Sequence, residues 1–141
     1  MRFFFYALLL PFLLLMYFSG SAAAEKWELL YEDREISFFI DADSVFLNPD
    51  GSKLSRDKFV FKKPQCDAPF ALKKTQCYQS VISVSKYFND QSSFALNGRF
   101  LFTDGASREI NFACTPKKFD TDSYGYLEWK YLFQSASQGT E

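Results

Sequence analysis

One apolar segment near the N-terminus constrains this chain more than any other feature of its sequence. Residues 3–18 form an apolar run, Arg2 is the one charge before it, and small residues at 22–24 offer a cleavage site before Glu25. This three-part arrangement is typical of a secretory signal peptide. The run is also shorter than the roughly 20 residues that a membrane-spanning helix needs. We therefore predict that residues 1–24 are a signal peptide and that the rest is exported.

The remainder of the chain is one domain in length. Removing 24 of the 141 residues leaves 117, which is enough for a single hydrophobic core. We predict one β-rich domain over residues 25–134 and a disordered polar tail over residues 135–141. No cysteine directly follows the apolar run, and no later segment is apolar enough to span a bilayer. The predicted location is therefore the periplasm, the extracellular space or the cell surface, without a lipid or transmembrane anchor.

Composition excludes several classes of function. The chain has no histidine, which rules out Ser-His-Asp and Cys-His catalysis and His-ligated zinc. Without Arg2, fifteen basic residues face seventeen acidic ones, and this balance argues against a nucleic-acid-binding protein. No phosphate loop, nucleophile elbow or metal motif is present. We expect no cofactor, no metal and no enzymatic activity.

Asp41 and Asp43 are the close carboxylate pair that a catalytic reading would use. General acid–base chemistry needs two carboxylates across a cleft, and a strand end followed by a turn explains the same residues. A calcium loop starting at Asp41 would need glycine and glutamate where Phe46 and Ser52 stand. A carboxylate-only enzyme is therefore the least favoured function that we consider.

Three cysteines lie in the exported part, where thiols oxidise in pairs. Cys66 and Cys77 end a repeated Lys-Lys-x-Gln-Cys phrase, and a bond between them would close a short loop that contains Phe70. The alternative joins Cys114 to one of the other two. We favour Cys66–Cys77, and in either case one thiol is left over, which could join two chains in a covalent dimer.

Short runs of aromatic and β-branched residues, separated by turn residues, predict an antiparallel sheet. Residues 48–51, Asn-Pro-Asp-Gly, predict a turn, and Asn97-Gly98 and Asp104-Gly105 predict two tight hairpins. Residues 120–134 fit the spacing of either a helix or a strand, and we favour a helix. The predicted fold is α+β: a single antiparallel sheet of about five to six strands with one packed, C-terminal helix.

The repeated phrase also predicts a contact surface. Its lysines and the apolar residue between them would form one patch, made of Lys62, Lys63, Phe70, Lys73 and Lys74. A cationic patch suits an anionic partner, although lysines also keep loops hydrated and protect exposed strand edges. The predicted partner is a protein or an anionic envelope polymer.

Residues 27–31 (Trp-Glu-Leu-Leu-Tyr) and 37–45 (Ser-Phe-Phe-Ile-Asp-Ala-Asp-Ser-Val) carry a family resemblance. They resemble the opening of the surface-adhesin protein E-like family of small exported bacterial proteins. Residues 59–61 are similar to the strand that follows there, and the family's later cysteine is matched by Cys114 or by Cys77. The resemblance implies an antiparallel sheet with a helix against it, pinned by a disulfide, on a protein that binds partners at the cell envelope. Adhesion to host matrix is the activity that it implies.

These observations predict an exported, non-catalytic binding or envelope-structural protein of the surface-adhesin-like type. The alternative is a periplasmic inhibitor of a secreted enzyme, acting through the loop between Cys66 and Cys77. The two hypotheses differ in the contact element. The first takes its contacts from sheet edges and loops, with residues 62–74 as the favoured patch, and the second takes them from the inserted loop.

Overall fold

A computed structural model describes residues 25–66, 76–112 and 115–134. The predicted signal peptide, the predicted tail and Cys114 therefore lie outside the described residues. The strands are β1 (Trp27–Glu32), β2 (Ile36–Asp41), β3 (Phe46–Leu47), β4 (Lys53–Gln65), β5 (Tyr78–Tyr87), β6 (Ser92–Phe102), β7 (Ser107–Asn111) and β8 (Lys117–Lys118). One helix, α1, spans Tyr124–Gln134.

All the strands belong to one antiparallel sheet. The neighbours run in the order β1-β2-β4-β5-β6-β7, while β3 pairs with β4 and β8 pairs with β6. The α+β class, the single antiparallel sheet and the C-terminal helix are thus confirmed. The strand count over the described ranges is eight rather than five to six, and the excess is two strands of two residues each, β3 and β8, which are too short to give a sequence pattern.

Two of the three predicted turns are present. Gly51 and Gly105 have φ of 79° and 86°, in the left-handed region that glycine enters without a steric penalty. The hairpin predicted at Asn97-Gly98 is wrong, because β6 runs through both residues without a break. A Cβ on Gly98 would lie 3.0 Å from the ring of Phe112. Glycine is therefore needed at position 98 for close packing against Phe112, and not for a turn.

Helix α1 begins after Ser123, whose hydroxyl accepts the backbone N–H of Tyr126 at 3.2 Å. This contact is the usual role of a serine at a helix N-terminus. The residues that α1 buries are Glu128, Trp129 and Leu132. Trp129 and Leu132 join Ile40 and Tyr87 of the sheet in one core cluster. A charged residue on the buried side explains why the apolar periodicity of this segment is weak.

Strand alternation gives the sheet two faces. The helix face is the one that α1 covers, and it carries Phe38, Ile40, Ser55, Asp57 and Tyr87. The opposite face carries the residues that alternate with them. Its described members include Trp27, Phe39, Asp41, Arg56 and Lys58.

Candidate functional site

The predicted contact patch begins on the last, exposed residues of β4. Lys62 forms an ion pair with Glu32, and its backbone N–H donates to the carbonyl of Glu35 at 2.8 Å. Lys63 lies next to it, beside a groove that is described below. Phe70, Lys73 and Lys74 lie outside the described residues. The structure thus brings Lys62 and Lys63 to one end of the sheet and commits the first of them to an intramolecular partner.

A disulfide joins Cys66 to Cys77, with their Cα atoms 4.2 Å apart. It follows directly on the last paired residues of two neighbouring strands, Gln65 of β4 and Tyr78 of β5. The favoured pairing is therefore confirmed, and the pairing of Cys114 with either of the other two is wrong. Cys114 is outside the described ranges, so a covalent dimer through it stays a prediction.

A groove of about 630 Å³ opens at this disulfide end of the sheet. Three structural elements form it: the turn into β2, the end of β4 and the first residue of α1. Its lining residues are Arg34, Glu35, Ile36, Phe61, Lys63, Gln65 and Tyr124. Apolar and aromatic side chains and charged side chains therefore meet in one concave surface, which is the usual composition of a binding site.

Local hydrogen bonds fix the turn that presents Arg34. The carboxylate of Asp33 accepts the backbone N–H groups of Glu35 at 2.7 Å and Ile36 at 2.8 Å. These two bonds lower the pKa of Asp33, because they stabilise its charged form. The backbone N–H of Asp33 also donates to the carbonyl of Ile36 at 2.9 Å. Arg34 thus stands on a closed, hydrogen-bonded turn.

Tyr124 forms the aromatic wall of the groove. Its ring lies 5.6 Å from that of Phe38, 5.4 Å from that of Phe59 and 5.6 Å from that of Tyr31. Burial, followed by the charges of Asp33 and Glu35, raises the pKa of its hydroxyl. That hydroxyl therefore stays protonated and can donate a hydrogen bond to a ligand.

The two cations of the groove are available to a partner. Among the described residues, neither Arg34 nor Lys63 forms an ion pair. Glu35, the one anion of the lining, does not offset both. The lining therefore combines an aromatic wall with two cations and one anion.

Asp41 and Asp43 do not form a pair across a cleft. Asp41 is 4% exposed, and its carboxylate pairs with Arg56 at 3.3 Å and accepts the backbone N–H of Lys26 at 3.3 Å. Asp43 lies exposed in a short 3-10 turn over Ala42–Ser44. The hydroxyl of Ser44 donates to the carbonyl of Asp41 at 2.7 Å. These contacts support the interpretation of this segment as a strand end followed by a turn.

A buried polar cluster beneath α1 is absent from the sequence predictions. It comprises Ser55, Asp57, Ser85, Tyr87 and Glu128, all of them buried. The hydroxyl of Ser55 donates to Glu128 Oε1, and that of Tyr87 donates to Glu128 Oε2 at 2.8 Å. The signal in the sequence was the interruption of strand alternation in β5 by serines. Its meaning depended on a glutamate that lies 73 residues after Ser55.

The carboxyls of the polar cluster have strongly shifted acidities. Burial raises the pKa of Glu128 to about 7. Burial, followed by the nearby charge of Glu128, raises the pKa of Asp57 well above its usual value. Both side chains are nearly inaccessible to solvent. A substrate could not reach them in this conformation, so they do not form an open catalytic site.

Within the part of the chain that the structure describes, no helix is long and apolar enough to cross a membrane. The same residues hold no group of three or more Cys, Asp or Glu side chains placed to bind a metal ion. Comparison with protein-family models, with curated proteins and with solved structures gives no match to this chain. The resemblance of residues 27–61 to the surface-adhesin protein E-like family therefore stays a prediction.

Proposed function

We propose that this chain is an exported, non-catalytic binding protein of the surface-adhesin-like type, which holds its partner in the groove at the disulfide end. One observation carries the proposal: the groove combines a tyrosine wall with two cations, Arg34 and Lys63, that have no acidic partner among the described residues. Cations in a partly apolar concave surface favour an anionic group on the partner.

The mixed lining favours an acidic segment of a protein over a uniformly charged polymer. Phe61 and Tyr124 supply apolar contact area, which a polysaccharide chain would use less well than peptide side chains. A polymer with regular charges would instead match a row of cations. The end of β4 offers one free lysine, since Lys62 is already paired with Glu32.

The test is binding of the exported protein to immobilised host-matrix protein, with heparin as a parallel anionic polymer. The double variant Arg34→Glu/Lys63→Glu should weaken binding to the matrix protein by about tenfold or more, since each reversed charge costs on the order of 1 kcal/mol. The matched control Lys117→Glu/Lys130→Glu makes the same change in net charge at exposed positions outside the groove. Equal losses in the two variants would reject the groove as the contact surface.

The inhibitor hypothesis has its own support, because the Cys66–Cys77 bond closes a short loop at the end of two strands. Closing a loop covalently lowers the conformational entropy that it loses on insertion into a partner. Replacing residues 67–76 by a Gly-Ser segment of equal length, with both cysteines kept, separates the two functions. If this variant no longer binds the partner, contact through the loop is favoured, as the inhibitor hypothesis requires. If partner binding is unchanged, contact through the groove is favoured.

A further inference from the structure

Helix α1 is attached to the sheet through a carboxyl group. Glu128 lies in the middle of the buried side of α1, with no exposed surface. Its two oxygens accept hydrogen bonds from Ser55 of β4 and Tyr87 of β5. A helix that buried only apolar residues would need no such partners. Docking of α1 on the sheet therefore requires that these polar groups be paired.

The contact between Glu128 and Asp57 requires a proton. Both carboxyls are buried in one cluster, held by the hydroxyls of Ser55, Ser85 and Tyr87. Each acts on the pKa of the other, and since a carboxylate is only an acceptor, a hydrogen bond between them needs a proton on one of them. Ser85 donates to Asp57 Oδ2 at 3.3 Å, whereas Asp57 Oδ1 receives no hydrogen bond from the donors described. Loss of the shared proton would leave two buried anions facing each other.

Among the described residues, no ion pair offsets that charge. From β4, Lys53 donates to the carbonyl of Leu132 and lies over the ring of Phe133. From β1, Glu28 accepts the hydroxyl of Tyr131 at 2.7 Å. On α1 itself, Lys130 is exposed. Tyr87 of β5 is the remaining titratable group, and its burial raises its pKa well above the usual value, so that it stays neutral.

The helix depends on this contact for its own stability. It has eleven residues, and isolated helices of that length are marginal in water, so packing on the sheet must hold it. Apolar packing by Trp129 and Leu132 contributes, together with a hydrogen bond from Trp129 Nε1 to the carbonyl of Phe88 at 2.9 Å. Glu128 lies between these residues in sequence and cannot move to solvent without lifting them.

We propose that the Asp57–Glu128 carboxyl pair is a proton-controlled latch, which holds α1 on the sheet while the two groups share a proton and releases it when that proton is lost. The direction follows from burial, which raises the pKa of both groups above their unfolded values. The stabilisation is therefore full in acid, below the unfolded pKa values of both groups. It falls as the pH rises through about 7, the pKa of Glu128, and falls further as Asp57, whose pKa is also raised, gives up the remaining proton.

The latch also acts on the groove, and this consequence rests on the proposed function. Tyr124 is the first residue of α1 and forms the aromatic wall of the groove. Release of the helix would remove that wall. An exported protein of this kind would hold its partner in acid and let it go as the pH rises.

The test is amide hydrogen exchange of residues 124–134 in the full exported chain, from pH 5 to pH 9, corrected for intrinsic exchange rates. The corrected opening equilibrium of α1 should rise with pH from the unfolded carboxyl pKa upward, by up to about tenfold per pH unit for each proton that the closed state keeps and the open state has lost. Glu128→Gln should flatten this profile, because an amide N–H replaces the shared proton. Glu28→Gln is the matched control, since it removes a carboxylate of β1 that accepts the hydroxyl of Tyr131 on α1 and should leave the slope unchanged.

Three results would overturn the latch: a flat profile in the unmodified chain, an unchanged slope in Glu128→Gln, or equal flattening in Glu28→Gln. Asp57→Asn provides a second variant if Glu128→Gln does not fold, and it should flatten the profile in the same way. No partner is present in this experiment, so its outcome is independent of the groove. Matrix binding measured at pH 5 and pH 8 would then test the effect on the groove separately.

Discussion

Asp41 and Asp57 are buried to nearly the same extent, but their carboxyl groups have different partners. They are 4% and 3% exposed, and they lie on opposite faces of the sheet. Asp41 is paired with Arg56 and accepts a backbone N–H from Lys26. Asp57 has no cation among the described residues and contacts a second carboxyl, Glu128. Burial alone therefore does not define the role of a carboxyl group. Its neutralising partner does, which is a cation at Asp41 and a proton at Asp57.

The largest effect is expected when Glu128, the carboxyl next to Asp57, is removed. Glu128→Ala should lower the free energy of unfolding by about 3 kcal/mol at pH 5, because Ser55, Tyr87 and Asp57 lose a buried partner and a cavity forms. The loss should become smaller towards pH 9, where the unmodified chain already carries the cost of the charged pair. Urea denaturation at both pH values measures it. A loss that is equal at both would contradict the proton-based account.

The corresponding change on the Asp41 side is made at Arg56. Arg56→Met leaves the buried carboxylate of Asp41 without its cation and should cost about 2 kcal/mol at pH 7, a value reduced because Arg56 is about one-third exposed. Urea denaturation at pH 7 measures the loss. Arg56→Lys keeps a charge there and should recover part of the loss.

The same substitution at the two aspartates gives the most direct contrast. At pH 8, Asp41→Asn should destabilise the chain by about 1 kcal/mol, since it weakens the contact with Arg56. Asp57→Asn should stabilise it by about 1 kcal/mol, since the amide donates to Glu128 a hydrogen bond that otherwise needs a proton. Thermal or urea denaturation of the two variants in one buffer decides the question. Two changes of the same sign would mean that the two sites do not differ as argued.

The sequence predicted the parts of this molecule that depend on neighbouring residues. The turns at Gly51 and Gly105, the antiparallel pairing and the Cys66–Cys77 bond all follow from local patterns. At Asn97-Gly98 a local pattern misled, because packing against Phe112 requires the same glycine that a hairpin would. Local patterns therefore predicted the structure correctly wherever no contact with a distant residue explained the same residue type.

The candidate sites depend on residues that are distant in the chain. Lys63 could be predicted as a contact residue, but Arg34 and Tyr124 join it only after the sheet and α1 have formed. The acidity of Asp57 likewise depends on Glu128, which the helix brings to it from the other end of the domain. A single sequence gives no register between α1 and β4. The carboxyl pair therefore could not be found before the structure.

The smallest effect is expected from the removal of one hydroxyl group. This change tests the pH at which Glu128 titrates, and not whether it titrates. Tyr87→Phe removes the hydrogen bond to Glu128 Oε2 and should cost about 1 kcal/mol. That bond favours the charged form of Glu128 and lowers its pKa, so its loss should raise the pKa above about 7. The pH at which the Glu128 part of the fall in stability ends should therefore move upward, although the variant is less stable throughout. Denaturation midpoints from pH 5 to pH 9 would show this shift, and a move to lower pH would mean that the hydroxyl does not act on Glu128.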